Sequence, residues 1–241
     1  MLSTSMTDAL NGSQIAKSGF KAEEMMTTQP NIIPSLGTTY FGKQIKPNGI
    51  TKVRGRAKSD VKIEFTDETC VMVQLKNTAL KVNGVANVKG RGFSIDRSDV
   101  DKIDIDSPEL TETLMSVCLN DKTKERKTVD KHVSERVMLR NIMGTDSATT
   151  PDYFMKTESD RITGDIVSLS VAPMADFIEK MKSSLYDTAI SKRTCVHLSP
   201  NLYLQRKGGT VGEKKPNQIQ TKLVLTPDID ALFSSIVLTT S

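Results

Sequence analysis

The sequence predicts an α/β domain. Two stretches, 59–65 and 70–76, alternate between apolar and polar residues, as half-buried strands do, and a polar turn joins them. Before and after them, 12–26 and 173–186 carry apolar residues at three- and four-residue spacing, the mark of a helix with one face buried. A chain of 241 residues is long enough for one well-buried core, so a single domain over 1–241 is expected.

The elements follow in order. In 12–26, Ile15, Gly19, Phe20, Met25 and Met26 outline one apolar side of a helix. Pro30, Pro34, Gly37, Gly42, Pro47 and Gly49 then punctuate a region of loops and short extended pieces. Val61, Ile63 and Phe65 face one way while Asp60, Lys62 and Glu64 face the other. Thr66 to Thr69 form the turn, and Cys70 to Lys76 are the returning strand. Asn83-Gly84 predicts another turn. From 107 to 143 the spacing is helical, through Leu110, Leu114, Val117, Val133 and Val137, with Ser107 as cap and Pro108 in the first turn. Residues 144–164 read as loop, Ile166 to Val171 as a short strand, and Pro173 to Tyr186 as an amphipathic helix. Cys195 to Gln205 and Gln218 to Leu225 read as strands around the basic loop Arg206 to Pro216.

Composition narrows the class. No apolar run reaches the roughly 20 residues that span a bilayer. The first residues lack the basic and apolar blocks of a signal peptide, and Cys70, Cys118 and Cys195 are dispersed, so a reducing, cytoplasmic location is expected rather than a disulfide framework or zinc site. The net charge is only +4, but it is unevenly spread. Gln29 to Ser59 and Asn77 to Ile95 contain no acid, and Arg206 to Lys222 is basic apart from Glu213. An acidic stretch, Asp96 to Glu112, divides them. Such blocks suit a basic cleft for phosphates; the plain alternative is a set of solvated loops.

The hairpin carries the chemistry. Gln74 and Lys76 lie two apart and share a face, and pairing of the strands brings Asp60 beside them. A hard cation such as Mg2+, with Mn2+ as a possible substitute, takes oxygen ligands of the kind Asp60 and Gln74 offer. Lys76 adds a positive charge where a phosphate would develop negative charge. An ordinary solvated strand face is the competing reading of the same three residues.

Residues Ser59-Asp60 and Gln74-Leu75-Lys76 resemble the catalytic strands of the PD-(D/E)xK nuclease superfamily, with Ser in place of Pro and Gln in place of Glu. This SD…QxK variant is similar to a small type II restriction endonuclease that recognises GCGC. Ala16 to Glu24, Arg91 to Arg97, and Leu198-Ser199-Pro200 with Leu204 to Gly209 resemble further blocks of that family in the same order, whereas 110–165 does not. The resemblance implies a restriction-endonuclease-like central mixed β-sheet flanked by helices. It divides the domain into a catalytic core over 12–105, a helical part over 106–165 and a C-terminal DNA-binding part over 166–241.

It also implies roles. Asp60, Gln74, Lys76 and Glu23 are the candidate catalytic residues, with Asp60 and Gln74 as metal ligands. Because an amide is a weaker ligand than a carboxylate, a second acid is needed, and Glu23 and Glu64 are the candidates. Lys58, Ser59, Arg91, Ser94, Arg97, Gln205, Arg206 and Lys207 are candidate DNA contacts, Arg being suited to guanine and Ser to several base edges. Gly208-Gly209 would allow close backbone approach to phosphate. His132 and His197 read as surface or strand residues, and the methionines as core. The expected activity is Mg2+-dependent cleavage of double-stranded DNA at a four-base palindrome by a monomer or weak homodimer, paired with a DNA methyltransferase. A structure-specific DNA-processing or repair nuclease, and a catalytically silent DNA-binding module of the same fold, are the alternatives.

Overall fold

The structure is a computed structural model and describes residues 21–53, 59–79, 94–96, 128–144, 147–160, 163–192, 195–207, 218–236 and 238. In chain order its strands are β1 (Ile45–Lys52), β2 (Val61–Phe65), β3 (Cys70–Ala79), β4 (Ser94–Asp96), β5 (Thr128–Asp130), β6 (Tyr153–Ser159), β7 (Ile166–Pro173), β8 (Thr188–Lys192), β9 (Cys195–His197), β10 (Leu202–Lys207), β11 (Gln218–Leu223) and β12 (Ser234–Ile236). Its helices are α1 (21–28), α2 (Ile32–Pro34, continuing as a π-helical stretch Ser35–Phe41), α3 (Lys131–Met143), α4 (Met174–Ser183) and α5 (Pro227–Asp230).

The period-two expectation holds at the hairpin. Val61, Ile63 and Phe65 are all buried, while Lys62 and Glu64 between them are partly exposed. Strands β2 and β3 pair antiparallel, Val61 opposite Val73 and Glu64 opposite Cys70. The first sheet runs β1-β2-β3-β6-β7-β12 and is mixed, because β3 and β6 are parallel whereas the other pairs are antiparallel. The fold is therefore α/β with a central mixed sheet flanked by helices. That sheet draws strands from all three stretches, 12–105, 106–165 and 166–241.

Successive residues of β6 enter different cores, as alternation across a central strand requires. Met155 joins Val61, Ile63, Phe65, Val73 and Leu75 beneath Ala22 and Met26 of α1 and Ile32 and Leu36 of α2. Phe154 joins the opposite core, against Phe177 and Met181 of α4, Val137 and Met138 of α3, and Val196, Leu202 and Leu204 of a second sheet. That second sheet, β4-β11-β10-β9-β8-β5, is antiparallel throughout.

Several expectations change. The stretch 144–164, read as loop, holds a 3-10 turn (Ser147–Thr149) and β6. From Met155 to Ser159 the burial of β6 alternates, but its buried face carries the polar Thr157 and Ser159, and Phe154 is buried on the other face, so no apolar/polar alternation marks it in the sequence. The helical stretch expected to run to Met143 includes a strand, β5; α3 begins only after it, where the Asp130 carboxylate accepts the Val133 N–H at 2.8 Å. Cys195 to Gln205 is two strands, β9 and β10, separated by a turn closed by hydrogen bonds between Ser199 and Leu202. The helix expected over 12–26 is seen from residue 21, with Ala22 and Met26 fully buried. Asn83-Gly84 and Ser107-Pro108 lie outside the described residues.

Candidate active site

The site is built from the start of β2 and the middle of β3. Two backbone bonds fix Asp60: its N–H donates to the Val73 carbonyl at 2.8 Å, and its carbonyl accepts the Val53 N–H at 3.0 Å. Its carboxylate turns onto β3, where Oδ2 accepts the Leu75 N–H at 2.8 Å. The Lys76 ammonium lies 3.5 Å from the same oxygen, as does the Gln74 amide nitrogen. Lys76 Nζ also donates to the Leu75 carbonyl at 3.0 Å, which holds the flexible side chain over the hairpin. The three residues expected to converge do so.

Gln74 is 4% exposed, and its Oε1 is buried without a hydrogen-bond partner among the described residues. An unpaired buried acceptor costs about 1–3 kcal/mol, so its presence beside a carboxylate is the least satisfied feature of this patch. Glu23 completes it from α1. The Glu23 carboxylate is 4.0 Å from the Lys52 ammonium on β1. Burial, and secondarily the negative charge of Asp60, push the Glu23 pKa up; Lys52 and Lys76 oppose the shift. Lys52 was legible only as one charge in a basic stretch, because nothing in the sequence ties β1 to α1.

Glu64, the other candidate acid, is not part of the patch. It sits at the far end of β2, opposite Cys70, and its carboxylate is 2.5 Å from the Lys62 ammonium. That hydrogen bond and charge lower the Glu64 pKa. Glu23 is thus the second carboxylate that the fold brings to Asp60.

Ser59 does not sit where a DNA contact requires. It is 2% exposed, and its hydroxyl donates to the Thr149 carbonyl at 2.8 Å. Its role is to anchor the start of β2 to the 3-10 turn preceding β6. Ser94 lies on β4, and Gln205, Arg206 and Lys207 lie on β10, both in the second sheet. The register aligns Ser94 with Gln220 on β11, and Gln220 in turn with Gln205. Lys58, Arg91, Arg97 and Gly208-Gly209 lie outside the described residues.

Oxygen donors dominate the patch: two carboxylates and an unsatisfied amide oxygen. Among the described residues no group of three His, Cys, Asp or Glu side chains is placed to hold a metal, and Gln74 is the side chain beside Asp60 that could add an oxygen to the two carboxylates. The donor set fits a hard divalent cation, which takes oxygen ligands and completes its shell with water.

No family model matches the chain, and no curated protein matches it. Among solved structures, it is similar to a crystal structure of the restriction endonuclease MspI in complex with its cognate DNA, at 12% identity and a TM-score of 0.44, over 88% of this chain and 91% of that one. A likeness of that degree leaves function to the geometry of the patch.

Proposed function

We propose that the chain is a divalent-metal-dependent nuclease that hydrolyses phosphodiester bonds in double-stranded DNA at the Asp60, Gln74, Lys76 and Glu23 patch. The observation that carries this reading is the buried, unpaired Gln74 Oε1 beside the Asp60 carboxylate. A structural hairpin gains nothing from that arrangement; a cation held there satisfies the acceptor and offsets the repulsion between Asp60 and Glu23.

Asp60, Gln74 and Glu23 would hold Mg2+, or Mn2+ in its place. Such a cation, when bound, supplies Lewis-acid polarisation of a phosphoryl oxygen and lowers the pKa of water. The chain's own residues do the rest. Lys76, steered by Asp60 Oδ2 and the Leu75 carbonyl, directs its ammonium toward the charge that develops on a phosphate in the transition state. The Leu75 N–H holds the Asp60 carboxylate in one orientation, so the site is pre-organised before substrate arrives.

The finer reading is a type II restriction endonuclease acting at a four-base palindrome, as a monomer or weak homodimer in the cytoplasm beside a cognate methyltransferase. It is supported by the ordered sequence blocks around the catalytic hairpin. Incubating the purified chain with plasmid DNA and Mg2+ tests both levels. Discrete fragments support the restriction enzyme, and a smear supports a structure-specific DNA-processing or repair nuclease. DNA binding without cleavage in Mg2+ or Mn2+ would identify a silent binding module, the reading that the neutral Gln74 side chain favours.

A further inference from the structure

The second sheet turns one face to the core, and its other face points away from it. Val129, Ala189, Val196 and Leu204 point inward and are fully buried. The alternate row points outward: Ile190 stands opposite His197, His197 opposite Tyr203, and Tyr203 opposite Lys222. The His197 and Tyr203 rings are stacked, with centroids 5.2 Å apart and planes inclined by 25°. Ile190 is 48% exposed, and Tyr186, whose N–H donates to the Leu198 carbonyl at 2.8 Å, is 43% exposed. Of the three exposed large apolar side chains among the described residues, Ile190 stands in this outward row. A half-buried Tyr203 ring stacked on an exposed His197 ring, beside the exposed Ile190, makes a flat surface on which a planar group can stack.

Charge decides which occupant. From Thr188 to Pro227, the chain that forms β8 to β11, there are seven Lys or Arg and one acid, Glu213. Of these, Lys222 stands in the outward row; a stretch of that charge balance is repelled by a second copy of itself and complements a phosphodiester backbone. Aromatic rings interleaved with basic residues on an open sheet face are the physical requirement for contact with bases and phosphates together.

We propose that this outer face is a DNA-contact surface, with the His197–Tyr203 pair against a nucleotide and Lys222 at a phosphate. This rests on the nuclease reading and extends it to residues beyond the hairpin and the basic loop. The next row of the same sheet aligns Cys195 with Gln205, Gln205 with Gln220, and Gln220 with Ser94, so the surface is continuous in register with two of the candidate DNA contacts.

The test measures binding of the full chain to a fluorescent duplex of about 30 base pairs, in chelator to prevent cleavage, across a range of salt. Tyr203→Ala and His197→Ala are each expected to weaken binding by about five-fold or more. Lys222→Gln is expected to reduce the slope of log affinity against log salt by about 1. Tyr203→Leu, which keeps apolar bulk, serves if the alanine variant loses its circular dichroism. Wild-type affinity and salt slope in all the folded variants overturn the inference, as does loss of self-association with DNA binding intact. Cleavage of DNA by wild type alongside unaltered binding by these variants removes this surface and leaves the nuclease. Binding through this face without cleavage in any divalent metal removes the nuclease and leaves the surface.

Discussion

Gln74 presents its amide nitrogen to Asp60 Oδ2 at 3.5 Å and buries its other polar atom, Oε1, with no partner among the described residues. A neutral side chain thereby occupies the position where a carboxylate would put a third negative charge next to Asp60 and Glu23. As a metal ligand, Gln74 would give up strength in exchange for a smaller electrostatic penalty in the metal-free fold. Gln74→Glu should reverse that trade. Adding a buried anion is expected to cost about 1–3 kcal/mol in chelator and to enlarge the stabilisation by Mn2+. Thermal melting with and without metal reads both; an unchanged metal response would show that residue 74 is not a ligand.

Asp60→Asn and Lys76→Ala remove the two ends of the 3.5 Å ion pair. Each is expected to lower cleavage by at least about a hundred-fold, the scale of losing one charge aimed at the transition state. Lys76 is partly exposed, so its truncation should leave circular dichroism and duplex affinity close to wild type. Loss of binding in step with cleavage would make Lys76 a DNA contact instead.

Glu23 gives a pH-dependent prediction. Its folded-state pKa is raised above 4.5 by burial and by Asp60, so the folded protein holds this proton more tightly than the unfolded chain. Stability therefore falls as pH rises from 4.5 through the raised pKa, and stays lower above it. Glu23→Gln removes that loss. In chelator at neutral pH the variant should be at least as stable as wild type, while cleavage declines. Urea unfolding at pH 4 and pH 7 measures the difference, and a variant less stable at pH 7 would place Glu23 in a favourable ion pair with Lys52.

Ser59 separates an architectural role from a substrate contact. Its hydroxyl is buried and donates to Thr149, so Ser59→Ala leaves a carbonyl without that donor and is expected to cost about 1–2 kcal/mol. DNA affinity should not change. A stable variant that binds DNA poorly would return Ser59 to the interface.

How much of this was legible depends on what kind of contact each residue makes. Asp60, Gln74 and Lys76 belong to one hairpin, where period-two alternation and a four-residue turn determine the register almost alone. Val61, Ile63 and Phe65 are buried as the alternation requires. Contacts between distant segments left no such trace. Strand β6 pairs with β3 in parallel across more than seventy residues, and the polar Thr157 and Ser159 on its buried face hide its period in the sequence. The Ser59 hydroxyl looks like a substrate contact in the sequence because its partner, a backbone carbonyl at Thr149, has no side-chain signature. The choice of Glu23 over Glu64 likewise needed the packing of α1: both are acids on the polar side of an amphipathic pattern, and only tertiary structure puts one beside Asp60.

The seating of α1 supplies the last prediction. Lys21 Nζ donates to the Thr163 carbonyl at 2.6 Å, and the Lys21 side chain lies across Gly164. Gly164 has φ +78°, a conformation that costs a residue with a Cβ about 1 kcal/mol. A methyl group there would also fall 2.2 Å from Lys21 Nζ, so the lysine must swing away and release Thr163. Gly164→Ala is therefore expected to lose about 1–2 kcal/mol of stability. Because Lys21 and Glu23 share one helix, the same change should loosen Glu23 from Asp60 and raise the metal concentration needed for half-maximal cleavage. Lys21→Ala isolates the second effect, since it removes the tether without straining Gly164. A shift in metal dependence for both variants ties α1 to the site; a stability loss in Gly164→Ala with unchanged metal dependence in both would confine Lys21 and Gly164 to the scaffold.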